Sequence, residues 1–289
     1  MLTALVLPAL SRAREQTRRL QCMNSQRQIG QAVTSFVGAN AGLMPACLAT
    51  PKTPPAAGAD DEIVFGWVQG LLAQMDRVDL VDADLTAENV PYISLVVCPS
   101  DTEKVGIAGG PLSYVVNGGC IDNLLAPADL PLDWPANGAW DNRVSLPHHP
   151  GPIPHTTEDY IRKHDGLATT IAQSENLDAT SYLPVSPTAK FQQAILWDAS
   201  VRTAINEYIG VGLSNATARA SSNHPSGAVF SFCDGHVAFV NESMDYKIYA
   251  SLMTSYGAQA APPGVKFAAG NPYVKLQVAP LDVGLIPAN

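Results

Sequence analysis

Residues 2–37 constrain this chain more than any other segment, because their pattern is satisfied by one long helix. Apolar side chains at Leu20, Met23, Ile29, Val33, Phe36 and Val37 recur at spacings near three, four and seven. Arg12, Glu15, Arg19 and Gln26 fall off that stripe. Pro8 has no amide proton and is expected to kink or interrupt the first turns. Gly30 weakens the helix slightly, and Gly38, Asn40 and Gly42 supply the stop. The second half of the stripe is expected to pack on the body of the protein.

The start of this helix has a different character. Met1 to Leu10 is apolar, about half the ~18–20 residues that cross a bilayer. No basic region precedes it and no small-residue cleavage site follows, so it is not a signal peptide and reads as the end of a longer apolar segment. Arg12, Arg14, Arg18, Arg19 and Arg27 against Glu15 give residues 1–39 a charge of +4. The whole chain carries −9, which leaves −13 on the rest. A basic stem on an acidic body suits a negatively charged surface such as a membrane leaflet, or is simply a solvated helix face. The acidic total argues against general nucleic-acid binding.

Beyond the stem, 289 residues with 46% hydrophobic content suffice for one or two domains with a sizeable core. Compact apolar runs at Ile63–Val68, Ile93–Val97, Leu112–Val116, Leu167–Gln173 and Phe191–Trp197 read as strands, and Gly70–Met75 as a short helix. Ala228–Phe232 and His236–Val240 flank Cys233-Asp234-Gly235, which predicts a β-hairpin. Met244–Tyr256 reads as a short amphipathic helix, and Tyr273–Val278 as a possible added strand. The fold class is therefore α+β: a long N-terminal helix packed on an antiparallel sheet with long loop insertions. Three regions follow: a stem over 1–39, a β-rich head over 40–256 with a loop insertion at 120–165, and a Pro/Ala-rich arm over 257–289.

Chemical motifs are sparse. There is no Walker loop, no G-x-G-x-x-G after a strand, no H-E-x-x-H and no G-x-S-x-G. His148, His149, His155 and His164 cluster with Asp141, Glu158, Asp159 and Asp165, residue types that bind transition metals, yet the spacing fits no helical pair. His148, His149 and His155 are thus weak metal candidates in a polar loop, and no cofactor is expected. Asp122, Asp129, Asp133 and Asp141 are oxygen donors suited to calcium, without an EF-hand loop. Trp134 and Trp140 are either anchors that pin the insertion or aromatic contacts for a ligand. His224 precedes Asp234-Gly235 by nine residues; it either shapes the entry to the hairpin, the simpler reading, or touches its turn or a ligand. Five cysteines, none in C-x-x-C, leave at least one unpaired within the chain and the pairing open.

Several segments together resemble one family. Leu7-Pro8-Ala9-Leu10-Ser11-Arg12-Ala13-Arg14-Glu15 is similar to the juncture after the apolar segment of type IV pilin-like and pseudopilin-like proteins. Arg19-Leu20-Gln21-Cys22-Met23-Asn24 and Gln28-Ile29-Gly30-Gln31-Ala32 resemble a subfamily abundant in planctomycete-type bacteria, which ends in a domain of unknown function. Its other marks are Cys98-Pro99-Ser100-Asp101, Ser113-Tyr114-Val115-Val116-Asn117-Gly118-Gly119, Asp165-Gly166, Ser174-Glu175-Asn176, and His224 with Asp234-Gly235, the H-x9-D-G signature. The family's basic leader and its Phe-Thr-Leu-x-Glu start are not in the sequence, whose Met1 falls inside the expected apolar stretch.

The resemblance implies a prepilin-type protein, exported to the cell surface or anchored in the inner membrane, with no catalytic residues. Leu2, Leu5, Val6, Leu7 and Leu10 would form the assembly or membrane face. Cys22, Cys98, Asp101, Asn117, Glu175, Asn176, His224, Asp234 and Gly235 would be structural. The expected function is a subunit of a filament or secretion-type assembly, self-associating through its N-terminal helix, without enzymatic activity and without a small-molecule ligand. The alternatives are an exported binding module gripping a glycan or a metal with the 120–165 region, or a hydrolase without a recognised motif.

Overall fold

The computed structural model describes residues 2–50, 64–122, 133–144, 155–184, 186, 190–198, 205–214 and 216–260, with side chains from Ala9 onward. The helix is a single element, α1 (Leu2–Ala39), continuous through Pro8. At ~1.5 Å per residue, its 38 residues extend about 57 Å. The end matches expectation: Gly42 takes a positive φ of 83° and its amide bonds back to the Val37 carbonyl.

The packed stripe of α1 runs through half-buried Glu15 and Arg19 and buried Cys22, Gln26, Ile29, Val33 and Val37, in steps of three and four. This corrects the sequence reading in two ways. Leu20 is exposed, at 65%. Glu15, Arg19 and Gln26 lie on the packed face rather than off it. The reason is what faces them: the Gln26 side-chain amide donates to the Val229 carbonyl (3.0 Å), and the Gln26 backbone carbonyl accepts from the Gln173 side chain (3.2 Å), so the amide N–H finds a partner inside the interface. Arg19 lies over the Phe239 ring at 4.5 Å. Residues 9–14 are exposed, Leu10 among them at 46%. The side chains of Leu2, Leu5, Val6 and Leu7 lie outside the described residues.

After the stem, β1 (Leu48–Ala49) and β2 (Phe65–Gly66) lead into α2 (Trp67–Leu71), followed by a 3-10 turn over Leu72–Met75. The apolar run around Ile93–Val97 is not a strand: Ser94–Val96 forms a 3-10 turn. Then come β3 (Tyr114–Asn117), β4 (Asn142–Arg143), α3 (Glu158–Lys163), β5 (Ile171–Glu175), β6 (Ala194–Ile195), β7 (Gly227–Phe232), β8 (Val237–Asn241) and α4 (Tyr246–Met253). Five strands make the main sheet in the order β6-β3-β5-β7-β8, and β2-β1-β4 make a small second sheet. The main sheet is antiparallel except where β6 pairs parallel to β3. The fold is α+β, with α1 laid across β7, β8 and β5.

The hairpin forms where expected, with a three-residue loop rather than a two-residue turn. Gly235 donates to the Phe232 carbonyl, Phe232 donates to that of His236, and Gly235 alone takes a positive φ, of 87°. Asp234 accepts from the His236 backbone amide at 3.0 Å and lies 2.6 Å from its ring, which stacks on Phe232.

Of the 120–165 segment, the described part from 133 to 144 is largely core: Asp133, Ala136, Asn137, Ala139, Trp140, Asp141 and Asn142 are all buried. Trp140 packs edge-on against Trp67, whereas Trp134 is 40% exposed. His148, His149 and Asp129 lie outside the described residues, as does Tyr273–Val278.

Candidate functional site at the junction of stem and head

Four of the residues singled out in the sequence, Cys22, Cys98, Glu175 and His224, meet where α1 first touches the head. Cys22, one heptad after Glu15, is disulfide-bonded to Cys98, 76 residues on. Closing a loop of that length restricts the unfolded chain and is worth about 4 kcal/mol in the chain-entropy account. The bridge fixes the helix in register. Glu15, two turns earlier and on the same face, is thereby carried to the rim of the sheet.

His224 receives it there. Its Nδ1 lies 2.6 Å from Glu15 Oε1, and the Ser100 hydroxyl donates to the same oxygen at 2.9 Å. On the other side of the ring, Nε2 is 3.2 Å from Glu175 Oε1 and 3.5 Å from Cys98 Sγ. Glu175, at the end of β5, accepts the Val229 amide with Oε2 at 2.8 Å. The backbone around His224 is fixed by Ser222, whose hydroxyl accepts the His224 amide and donates to the Gly227 carbonyl. With a carboxylate facing each ring nitrogen, only the imidazolium presents a donor to both. Burial works against that charge, but hydrogen bonding and attraction from Glu175 and Glu15 outweigh it, and the pKa of His224 lies above the ordinary histidine value.

Behind this cluster a second layer ties the family-like motifs together. Asp101 accepts the Ser113 hydroxyl at 2.8 Å and pairs with Lys104 at 2.9 Å. The Lys104 ammonium also donates to the carbonyls of Asn176 and Leu177. Burial lowers the Lys104 pKa, an effect that Asp101 opposes. Asn176 donates to the Arg219 carbonyl and accepts the amides of Asp178 and Ala179. Asn117 does the same work elsewhere on the sheet, donating at 2.7 Å to the carbonyls of Ile171 and Met253 and so fastening the end of α4.

Asp234 and Gly235 are not part of the junction. His224 and Asp234-Gly235 sit beyond opposite ends of β7, a six-residue strand about 20 Å long. His224 closes the helix interface and Asp234-Gly235 makes the turn.

Four donors, Cys22 Sγ, Cys98 Sγ, a Glu175 oxygen and a His224 ring nitrogen, lie within 4.8 Å of one another. Both sulfurs are taken by the disulfide, and the remaining carboxylate and imidazole face each other, so the arrangement is a covalent and ionic clip. His155, the described member of the histidine trio, is exposed, and His164 stacks on Tyr256. Outside the clip an open cleft of about 380 Å³ runs between Ser11, Arg12, Glu15, Gln16 and Arg19 of the helix and Pro225 of the head. Glu15 and Ser113 stand in the quoted motifs without a role assigned to them, and Lys104 lies outside every motif. Glu15 had a signal: it is the one acidic residue of the basic stem, seven before Cys22.

A long N-terminal helix held against a sheet defines an α+β protein with a pilin-like layout. The chain belongs to the family described as protein of unknown function DUF1559 (SBP_bac_10), which matches residues 11–247 and so takes in the whole clip. No curated protein and no solved structure matches the chain. Among the described residues, no helix is long and apolar enough to cross a membrane.

Proposed function

We propose that this protein is a pilin-like structural subunit of the H-x9-D-G subfamily, without enzymatic activity, that self-associates through the N-terminal part of α1. The observation that carries the reading is the division of labour along that helix. From Glu15 onward it is fastened to the head by the Cys22–Cys98 bridge and the His224 cluster, while residues 9–14 are exposed. A helix anchored so firmly at one half is suited to bear load applied at the other. The apolar side chains Leu2, Leu5, Val6, Leu7 and Leu10 would bury against equivalent helices of other copies or in the inner membrane, gaining ~25 cal/mol per Å² of apolar area. The basic charge at Arg12, Arg14 and Arg18 would face acidic heads or anionic lipid. The site of action would be the cell surface.

The test is sedimentation of the purified chain over a concentration series, beside the Leu5→Glu/Leu7→Glu variant. The expected outcome is concentration-dependent association that the double substitution abolishes, with the head's far-UV spectrum unchanged. A monomer at every concentration that also ignores anionic vesicles sinks the proposal.

A further inference from the structure

Lys190 carries the most deeply buried ammonium among the described residues, 2% exposed. Its stem passes over Gly118, where even a methyl group would come within 3.3 Å of Lys190 Cε and 2.7 Å of Ala194 Cβ. The Asn117-Gly118-Gly119 turn after β3 thus makes room for this side chain.

Two buried carboxylates meet the ammonium. Lys190 Nζ donates a hydrogen bond to Asp133 Oδ2 at 2.9 Å. It also lies 2.7 Å from Asp122 Oδ1, in a contact that is not aligned as a hydrogen bond. The two carboxylates are therefore not equivalent. Asp133 is placed to exchange protons with the nitrogen, whereas Asp122 has the nitrogen beside its carboxyl group. Asn142 organises the pair: its side-chain amide donates to Asp122 Oδ2 at 2.7 Å, and its backbone amide to Asp133 Oδ2 at 3.0 Å. Asp133 Oδ1 accepts the Trp134 amide at 2.8 Å. Water is kept out, since the side chains of Lys190, Asp122 and Asp133 are 2–3% exposed. Two of the four aspartates named in the sequence as oxygen donors suited to calcium, Asp122 and Asp133, thus enclose a lysine, which occupies the place of a cation.

We propose that Lys190 and Asp122 condense into an intramolecular amide crosslink, with Asp133 carrying the protons and Asn142 holding the oxygen on which charge develops. The ammonium gives one proton to the Asp122 carboxylate, leaving a neutral amine and a carboxylic acid. The nitrogen lone pair then attacks Asp122 Cγ: the N–C bond forms, and the C=O π pair moves onto Oδ2 beside the Asn142 amide. Asp133 takes a second proton from nitrogen and delivers it to the leaving hydroxyl. The C–O bond breaks, the C=O bond re-forms, and one water departs. An ammonium and a carboxylate become an amide and water, with no oxidant, cofactor or second protein consumed, and Asp133 ends as it began. Burial raises the Asp133 pKa to about 7, with Lys190 opposing the shift, so this carboxyl both holds and yields a proton near neutrality. The crosslink would staple the segment after β3 to the segment before β6, strands that already pair in parallel. This inference does not depend on whether the chain assembles.

The experiment is intact mass spectrometry of the full chain, denatured and with its disulfide reduced, followed by protease mapping. The expected mass is one water below that of the sequence, with a branched peptide joining Lys190 to Asp122. The Asp133→Asn variant is expected at its full sequence mass. Asp122→Asn is expected to yield the same crosslinked product as the native chain, losing ammonia in place of water. A native chain at full mass, with Lys190 in a linear peptide, overturns the proposal whatever the variants do. So does a lost water that maps elsewhere.

Discussion

Two buried clusters in this molecule have the same outline, one cation between two carboxylates, and differ in what they hold. At the junction, His224 stands between Glu15 of the helix and Glu175 of the sheet. In the core, Lys190 stands between Asp122 and Asp133. The first bridges two parts of the architecture at a place where Glu15 is still 25% exposed; the second is enclosed on all sides. A histidine gains or loses its charge around physiological pH, whereas a lysine flanked by two carboxylates keeps its charge there unless the proposed condensation removes it. The junction is thus built as an adjustable contact beside a disulfide, and the core cluster as a permanent one.

The largest expected effect lies in the core. Lys190→Met leaves two buried aspartates without a cation. Breaking a buried pair from one side costs about 3–5 kcal/mol, so urea unfolding should show a loss of that size. A loss below ~1 kcal/mol would show that water reaches the cluster and that the contrast between the two sites is false.

Removing the junction's covalent part comes next. Cys22→Ala/Cys98→Ala should lower stability by about 2–4 kcal/mol. Both variants should keep the β-sheet signal, because α1 is also held by Ile29, Val33 and Val37 packing on the head. If the double variant matched the wild type in stability, and reductant left the wild type unmoved, the bridge would have no energetic role in the clip.

The pH response should separate the clusters further. The folded pKa of His224 is raised above its unfolded value of ~6.5. Its contribution is therefore fully present below that value and is lost as pH rises through the folded pKa. Charged hydrogen bonds are worth about 1.5–3 kcal/mol, so His224→Gln should be destabilised by roughly 2 kcal/mol at pH 6, and the gap to wild type should close toward pH 9. Asp133, also raised, to about 7, makes stability fall with pH at the lower end, from ~4 upward, in both proteins alike. A gap between His224→Gln and wild type that does not change with pH would mean that the ring packs as a neutral group.

Much of this arrangement was legible in the sequence, and the rest was hidden for a physical reason. The helix, the hairpin and the α+β class follow from periodicity and turn chemistry, which are local. Glu15, Arg19 and Gln26 were misplaced because a hydrophobic stripe cannot show polar residues whose partners lie far along the chain: His224 is 209 positions from Glu15, and Val229 is 203 from Gln26. Ile93–Val97 looked like a strand because a short buried apolar run carries no period of its own. Asp122 and Asp133 stand among the four aspartates that the sequence offers as oxygen donors for calcium. That the cation they meet is Lys190, 57 positions beyond Asp133, depends on the parallel pairing of β3 and β6, which no local pattern encodes.

The smallest expected effect sharpens the comparison most. Glu15→Gln keeps an oxygen that accepts from the His224 ring and from Ser100, and removes the charge. At a half-exposed junction this should cost about 1 kcal/mol or less. The substitution should nevertheless lower the His224 pKa, because one of the two carboxylates that favour the imidazolium is gone while Glu175 and burial remain. Histidine C–H resonances followed by NMR titration read this directly, the downward shift appearing at His224 and not at His236, which pairs with Asp234 at the far end of the hairpin. An unchanged His224 titration would mean that Glu15 touches the ring without setting its charge. The helix would then be held by the Cys22–Cys98 bridge and apolar packing, with no pH-dependent contribution from the contact between Glu15 and the ring.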